Sequence, residues 1–233
     1  MPKPTEKVSR YLCENMTFAA REAIKKLRMN TMIALPEKNG CKVVAVTSTQ
    51  PGEGKSSTAI NLAYSFSEMG NRVLLLDADL RRPSVAEKLS LSKENGLAAL
   101  LTDNNDISST IKNYITAAGK NSFDAICGGI YCENASELLL SKRFSALMET
   151  LREAYEYIVI DLPPVAAVID SVAVGKHADG VIVVLRENRI PKKQFDRCIS
   201  QLEYANIKVL GVAINGSAEG TGKKTYGSYK YYY

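Results

Sequence analysis

Short, unbroken apolar runs constrain the fold of this chain more than any other feature of its sequence. They predict strands at Lys42–Ser48, Arg72–Ala78, Phe123–Cys127, Tyr157–Asp161, Gly180–Leu185 and Lys208–Ile214. A continuous run, rather than alternation of apolar and polar residues, is typical of a strand that is buried on both faces. Because segments with helical spacing separate most of these runs, we expect an α/β fold with a mostly parallel central sheet and helices on both faces.

The helical segments and the composition of the chain ends predict three parts. Helices are expected at 17–34, 55–69, 137–154 and 191–204, and Gly70 is expected to end the second. We predict an N-terminal extension at 1–16, one domain at 17–214 and a flexible tail at 215–233. The tail contains NGSAEGTGKKTYGSYKYYY, which is too rich in Gly, Ser and Lys to form a core.

A glycine-rich loop follows the first predicted strand and leads directly into a helix. The loop runs Thr49-Gln-Pro-Gly-Glu-Gly-Lys-Ser56, and backbone N–H groups in such a turn bind phosphate. Thr49 stands where the usual GxxxxGK[ST] pattern has its first glycine. We predict nucleotide binding by Gly52, Glu53, Gly54, Lys55, Ser56 and Ser57. Asn215, at the end of the last strand, is a further candidate for binding the adenine, and a turn-forming role for it is equally open.

Carboxylates end two further strands at the same predicted sheet edge. Asp77 and Asp79 end the second strand, and Asp161 ends the Tyr157–Asp161 strand. Carboxylates beside a lysine and a phosphate site suit Mg²⁺ and ATP, which we predict as cofactors. Arg81 and Arg82 follow directly, and the sequence leaves open whether they pair with these carboxylates or face phosphate.

Together these motifs resemble the bacterial tyrosine kinases, or BY-kinases. TQPGEGKSS is similar to their Walker A motif, VLLLDADLRRP to Walker A′ and YIVIDLPP to Walker B, and the segments 133–141 and 169–186 are also similar. The resemblance covers nearly the whole chain. It implies a P-loop protein-tyrosine kinase that autophosphorylates a C-terminal tyrosine cluster and regulates the synthesis and export of capsular or extracellular polysaccharide.

The resemblance also implies roles for individual residues. Lys55 would bind phosphate, and Ser56, Asp79 and Asp161 would form the metal shell. Asp77 would accept the tyrosine proton, so the implied catalytic residues are Lys55, Asp77 and Asp79. The phosphorylation sites would be Tyr226, Tyr229, Tyr231, Tyr232 and Tyr233.

Partners follow from the same resemblance. It implies a transmembrane polysaccharide co-polymerase adaptor, a cognate tyrosine phosphatase and a homo-oligomeric ring, of octamer size in the family, in which each tail docks in a neighbouring site. The family's ExxRxxR assembly helix corresponds here to Glu22, Lys25 and Arg28, and lysine at the middle position lacks the planar fork of arginine. We expect a cytoplasmic chain that is recruited to the inner face of the membrane, has low activity without its adaptor and has no nucleic-acid partner.

Two alternatives remain open at this stage. One is a P-loop ATPase of the partition or division-site type, although Gln50 occupies the place of the lysine that those proteins carry in KGGxGK[ST]. The other is a non-enzymatic ATP-binding module whose tyrosine tail docks partners. Transfer of labelled phosphate from ATP to protein distinguishes both from a kinase.

Overall fold

A seven-stranded, mostly parallel sheet forms the centre of the protein in the computed structural model, which describes residues 15–119, 122–165, 170–187 and 189–216. The strand order is β3-β4-β2-β5-β1-β6-β7. Among the strands of the described residues, only β3 runs antiparallel to its neighbour, β4. The strands are β1 (Lys42–Ser48), β2 (Val73–Asp77), β3 (Thr116–Ala118), β4 (Phe123–Ile126), β5 (Tyr157–Asp161), β6 (Gly180–Arg186) and β7 (Val209–Asn215). The predicted α/β class is confirmed, and the unpredicted strand β3 is too short to show a pattern of its own.

Helices cover both faces of this sheet. They are α1 (Phe18–Ala34), α2 (Lys55–Ser67), α3 (Val85–Leu89), α4 (Leu97–Thr102), α5 (Ile107–Thr110), α6 (Ala135–Leu139), α7 (Lys142–Ala154), α8 (Asp170–Gly175) and α9 (Lys192–Tyr204), with a 3₁₀ turn at Ile111–Asn113. Gly70 adopts a left-handed φ of 83° just after α2, as expected for a residue that ends a helix.

One predicted helix is wrong in its extent. The segment 137–154 forms two helices, α6 and α7, instead of one. Ser141 separates them, since its hydroxyl accepts a hydrogen bond from Phe144 N at 3.1 Å and so caps the start of α7. A serine cap stabilises a new helix start by about 1 kcal/mol, which favours the break at this residue.

Two apolar layers hold the sheet and helices together. On one face, strand residues such as Val44 and Val159 pack with Ile60 and Phe66 of α2, and Phe66 stacks on Tyr157 with ring centroids 4.1 Å apart. The other face includes side chains of α4, α7 and α9. Strands β2 and β5 are buried along their whole length, which explains why their sequences are continuously apolar.

The topology brings the carboxyl ends of β1, β2 and β5 to one edge of the sheet. In the parallel register, Asp77 of β2 and Asp161 of β5 are direct partners. The glycine-rich loop after β1 lies at the same edge, where open α/β sheets bind ligands. Within the part of the chain that the structure describes, no helix is long and apolar enough to cross a membrane.

Candidate active site

The glycine-rich loop after β1 is held in shape by its own side chains. Gly52 and Gly54 adopt left-handed φ angles of 83° and 98°, which glycine adopts without the steric cost of a Cβ atom. Glu53 is buried, and its carboxylate accepts hydrogen bonds from Thr49 Oγ1 at 2.7 Å and Gln50 N at 2.8 Å. Thr49, which departs from the usual glycine, therefore helps to fix the loop through its hydroxyl.

Asn215 also supports the loop. Its side-chain amide donates to the Glu53 carbonyl at 3.0 Å. A Cβ atom on Gly54 would lie 1.9 Å from the same amide nitrogen, so only glycine admits this approach. The Asn215 side chain thus contacts the backbone of the loop. Neither Glu53 nor Asn215 lines the cavity described below.

Lys55 begins α2 and points its ammonium group at two carboxylates. Lys55 Nζ lies 2.8 Å from Asp79 Oδ2 and 3.3 Å from Asp161 Oδ1. It also lies 3.3 Å from the hydroxyl oxygen of Ser56. Burial lowers the pKa of Lys55, but Asp161 and Asp79 outweigh that effect and raise the pKa above its ordinary value. Lys55 is therefore a firmly charged cation at the mouth of the loop.

Asp77 and Asp161 are fully buried and adjacent. Burial and, to a smaller extent, the neighbouring Asp161 together raise the pKa of Asp77 to about 7, although Lys55 acts in the opposite direction. Burial also raises the pKa of Asp161, with Lys55 acting in the opposite direction. Asp77 Oδ2 accepts hydrogen bonds from the backbone N–H groups of Ser84 and Val85 at 3.2 and 3.1 Å. Asp77 is thus held next to Ser84, which lines the cavity described next.

A cavity of about 660 Å³ lies in front of these groups, a size typical of small-molecule sites. One wall is the glycine-rich loop with Lys55, Ser56 and Ser57. The rest is formed by Asp79, Arg81, Arg82, Ser84, Lys88, Pro163 and Pro164. Of the described residues, the wall carries four basic side chains and one carboxylate, which suits a polyanionic ligand with a bound metal.

Arg81 settles a question that the sequence left open. Its Nε donates to Asp170 Oδ2 at 2.8 Å, and its Nη2 donates to Ser136 Oγ at 3.0 Å. It therefore pairs with neither Asp77, Asp79 nor Asp161. Sequence reasoning missed Asp170 and Ser136 because they lie far from the loop in the chain. The signal available was their position in the segments 133–141 and 169–186, which flank the predicted site.

The candidate assembly residues on α1 lie away from this cavity. Glu22 and Lys25 are exposed and pair with each other at 2.9 Å. Arg28 instead points into the protein, where its Nη1 donates to Ser65 O at 2.7 Å and to Ser65 Oγ at 3.2 Å. Arg28 thus links α1 to α2 within one chain. The five candidate phosphorylation sites of the tail lie outside the described residues.

Comparison with known proteins agrees with this architecture. Residues 41–209 match the model of a family described as an AAA domain. The tyrosine-protein kinase YwqD of Bacillus subtilis is 34% identical over 195 residues, which cover 84% of this chain and 80% of YwqD. The putative tyrosine-protein kinase EpsB of Ralstonia solanacearum is 34% identical over 207 residues, 89% of this chain, but the matched region spans only 27% of EpsB.

A solved structure adds the three-dimensional comparison. The kinase domain of the Escherichia coli tyrosine kinase ETK superposes with a TM-score of 0.77 at 28% identity, covering 90% of this chain and 80% of that domain. The Walker-type strand ends, the parallel sheet and these similarities lead to one assignment. The chain belongs to the bacterial tyrosine kinase family and carries its AAA-type P-loop domain.

Proposed function

We propose that this chain is an ATP-dependent protein-tyrosine kinase that phosphorylates its own C-terminal tyrosine cluster. The observation that carries the proposal is the position of Lys55, whose ammonium group lies between Asp79 and Asp161 at the mouth of a glycine-rich loop. This arrangement combines a phosphate cradle with carboxylates for a metal, as phosphoryl transfer requires. Relatives that are named tyrosine-protein kinases support the choice of tyrosine as acceptor.

The loop and the start of α2 would bind the phosphates of ATP. Gly52, Gly54 and the first residues of α2 line the cavity. Their backbone N–H groups would bind the phosphates there, and the helix N-terminus adds positive potential. Lys55 would move from its carboxylate partners to the β- and γ-phosphates. The side chain of Glu53 would contribute indirectly, by holding the loop in its binding shape.

The residues around Lys55 also fit a magnesium ion. Asp161 Oδ2 is buried and has no hydrogen-bond partner among the described residues, and the Ser56 hydroxyl and Asp79 lie close to the same lysine. Among those residues no three His, Cys, Asp or Glu side chains form a metal site by themselves. Mg²⁺ commonly binds one or two carboxylates and completes its shell with water and substrate phosphates. When bound, Mg²⁺ would neutralise phosphate charge.

In the transfer step, the tyrosine oxygen would form a bond to the γ-phosphorus. The bond between that phosphorus and the β,γ-bridging oxygen would break, and its electron pair would leave with ADP. We propose Asp77 as the acceptor of the phenolic proton, since its raised pKa of about 7 suits a base working near neutral pH. Asp79 lines the cavity and Asp77 does not, so either carboxylate is a candidate base. Comparison of kcat between Asp77→Asn and Asp79→Asn tests which of them accepts the proton.

The cellular role that we propose is regulation of capsular or extracellular polysaccharide synthesis and export. It rests on the family assignment. In this role the chain would work with a transmembrane adaptor and a cognate tyrosine phosphatase, and it would assemble into a ring. Glu22 and Lys25 on α1 are exposed and would be the assembly contacts.

Incubation of the purified protein with labelled Mg²⁺-ATP and the adaptor's cytoplasmic segment tests the proposed activity. We expect acid- and alkali-stable label on the tail of the wild type and none on Lys55→Met, because that variant lacks the ammonium group that would bind the phosphates. Arg72→Ala is a matched control, since Arg72 forms an exposed ion pair with Glu156 away from the cavity. Release of free phosphate without labelled protein would instead identify an ATPase.

A further inference from the structure

The guanidinium group of Arg81, at the cavity wall, is held in place by side chains of two other elements. It follows β2 and contacts Asp170 at the start of α8 and Ser136 on α6. The Ser136 hydroxyl also hydrogen-bonds the second oxygen of Asp170. Two other segments of the chain therefore fix this arginine at the cavity wall.

The two side chains of this ion pair differ in how deeply they are buried. The Asp170 side chain is only 1% exposed, whereas the Arg81 side chain is 34% exposed. A buried carboxylate needs a charged partner to offset its lost hydration. Asp170 thus acts as a fixed anchor in the protein interior, and the partly exposed Arg81 reaches from it into the cavity.

The region around Asp170 is itself tied to the central sheet. The hydroxyl groups of Ser171 and Thr47 both donate to the Pro163 carbonyl at 2.7 Å. Pro163 lines the cavity two residues after Asp161. The anchor of Arg81 is therefore built into the same frame as the Asp161 strand end.

The hydrogen bonds to Asp170 and Ser136 leave part of the guanidinium group for a ligand. Nε and Nη2 make these bonds, and Nη1 carries two more N–H donors. The cavity wall that contains Arg81 adjoins the glycine-rich loop with Lys55. A phosphoryl group leaving the loop would meet Arg81 as a second, geometrically fixed cation.

We infer that Arg81 is a further catalytic residue, which contacts the γ-phosphoryl group during transfer, and that Asp170 and Ser136 are its positioning residues. This inference rests on the proposed kinase function. As the phosphorus–oxygen bond to ADP breaks and the bond to the tyrosine oxygen forms, Arg81 Nη1 would donate to a non-bridging oxygen of the group in transfer. Rigid donors that meet charge where it develops stabilise a transition state more than a ground state.

The test compares Arg81→Lys with the wild type in kinetics and in ligand binding. Lysine keeps the charge that Asp170 needs, so the fold is retained, but it lacks the planar fork. We expect kcat to fall by about 10²-fold while the KM for ATP changes by less than about 3-fold. Affinity for ADP with Mg²⁺ and aluminium fluoride, a mimic of the transferring phosphoryl group, should fall in parallel with kcat, whereas affinity for ADP alone should not.

Positioning variants provide the second arm. Asp170→Asn keeps the shape of the anchor but removes its charge. We expect kcat and the aluminium fluoride affinity of this variant to fall by about 10-fold or more, compared with about 10²-fold for Arg81→Lys. Arg72→Ala should match the wild type in every assay. Wild-type kcat and aluminium fluoride affinity in folded Arg81→Lys would overturn the inference.

The two proposals can fail separately. Wild-type protein that labels no tyrosine with the adaptor's cytoplasmic segment supplied would contradict the kinase function, whatever the Arg81 comparison shows. Tyrosine labelling that proceeds equally well in the wild type and in Arg81→Lys would leave the kinase function standing and overturn the role of Arg81.

Discussion

At the residue scale, the site concentrates negative charge around a single buried lysine. Lys55 contacts Asp79 and Asp161, while Asp77 is packed beside Asp161 and held by backbone N–H groups. Like charges at this spacing repel in a desolvated site, so the carboxylates favour protonation or a further cation. Burial is the main cause of the raised pKa values of Asp77 and Asp161, and the neighbouring carboxylates add to it.

Asp77→Asn should make stability less dependent on pH. The pKa of Asp77 is raised from its ordinary value to about 7 in the folded protein. Its contribution to stability is therefore present at low pH and is lost as the pH rises through about 7. The stability of Asp77→Asn relative to the wild type should thus increase with pH, by up to about 1.4 kcal/mol per pH unit between about pH 4 and 7.

Urea unfolding in metal-free buffer at several pH values measures this difference. Glu68→Gln removes a carboxylate from an exposed position and is the control for a general loss of negative charge. Stability curves of the wild type and Asp77→Asn that run parallel across this range would show that Asp77 titrates normally.

At the scale of the secondary-structure element, the loop between β1 and α2 is the part most sensitive to added volume. Gly54→Ala places a Cβ against the amide of Asn215 and also requires a left-handed φ, whereas Gly40→Ala requires only the left-handed φ. We expect Gly40→Ala to cost about 1–2 kcal/mol. Gly54→Ala should cost a further 1–2 kcal/mol or so, because the Asn215 hydrogen bond to Glu53 is lost, and should weaken ADP binding.

Chemical denaturation and calorimetric titration with ADP test this ordering. The double variant Gly54→Ala with Asn215→Ala should recover part of the cost, because the shorter side chain removes the clash. Equal destabilisation by Gly54→Ala and Gly40→Ala would show that Asn215 does not fix the loop.

Helix α1 offers a second test at this scale, because its candidate assembly residues make different contacts. Arg28→Ala removes the hydrogen bonds to Ser65 on α2, so we expect the free energy of unfolding to fall by about 1–3 kcal/mol. Glu22→Ala removes an exposed pair and should change stability by less than about 0.5 kcal/mol. If α1 assembles the ring, light scattering should show a smaller particle for Glu22→Ala than for the wild type. A smaller particle for Arg28→Ala, with an unchanged particle for Glu22→Ala, would place Arg28 at the interface.

Element patterns made much of the architecture predictable, whereas long-range side-chain contacts were not. Continuous apolar runs in β2 and β5 identified buried strands, and their terminal aspartates identified the site edge. Helices α3 to α5 have only four to six residues, too few to display a helical period. The Arg81–Asp170 pair joins residues 89 apart in sequence, and no local pattern indicates such a contact.

At the scale of the whole molecule, the tail begins beside the site that it is proposed to serve. Asn215 ends β7 and its side chain contacts the glycine-rich loop. The 17 residues from 217 to 233 could extend to roughly 60 Å at most. This length permits a tail to reach its own cavity or that of a neighbour.

Mixing two variants distinguishes these routes. A chain ending at Gly216 keeps every described residue of the site but has no acceptor cluster, and Lys55→Met keeps the tail but lacks the phosphate-binding lysine. With Mg²⁺-ATP, we expect label on the tail of Lys55→Met only when the shortened chain is present. Labelling of the wild type at a rate independent of its concentration, with no label in the mixture, would indicate transfer within one chain.

Mass spectrometry of the tail after incubation with Mg²⁺-ATP tests the central claim most directly. The kinase account predicts phosphate on one or more of Tyr226, Tyr229, Tyr231, Tyr232 and Tyr233 in the wild type, and an unmodified tail in Lys55→Met. A wild-type tail that stays unmodified while ATP is bound and hydrolysed, with the adaptor's cytoplasmic segment supplied, would contradict it.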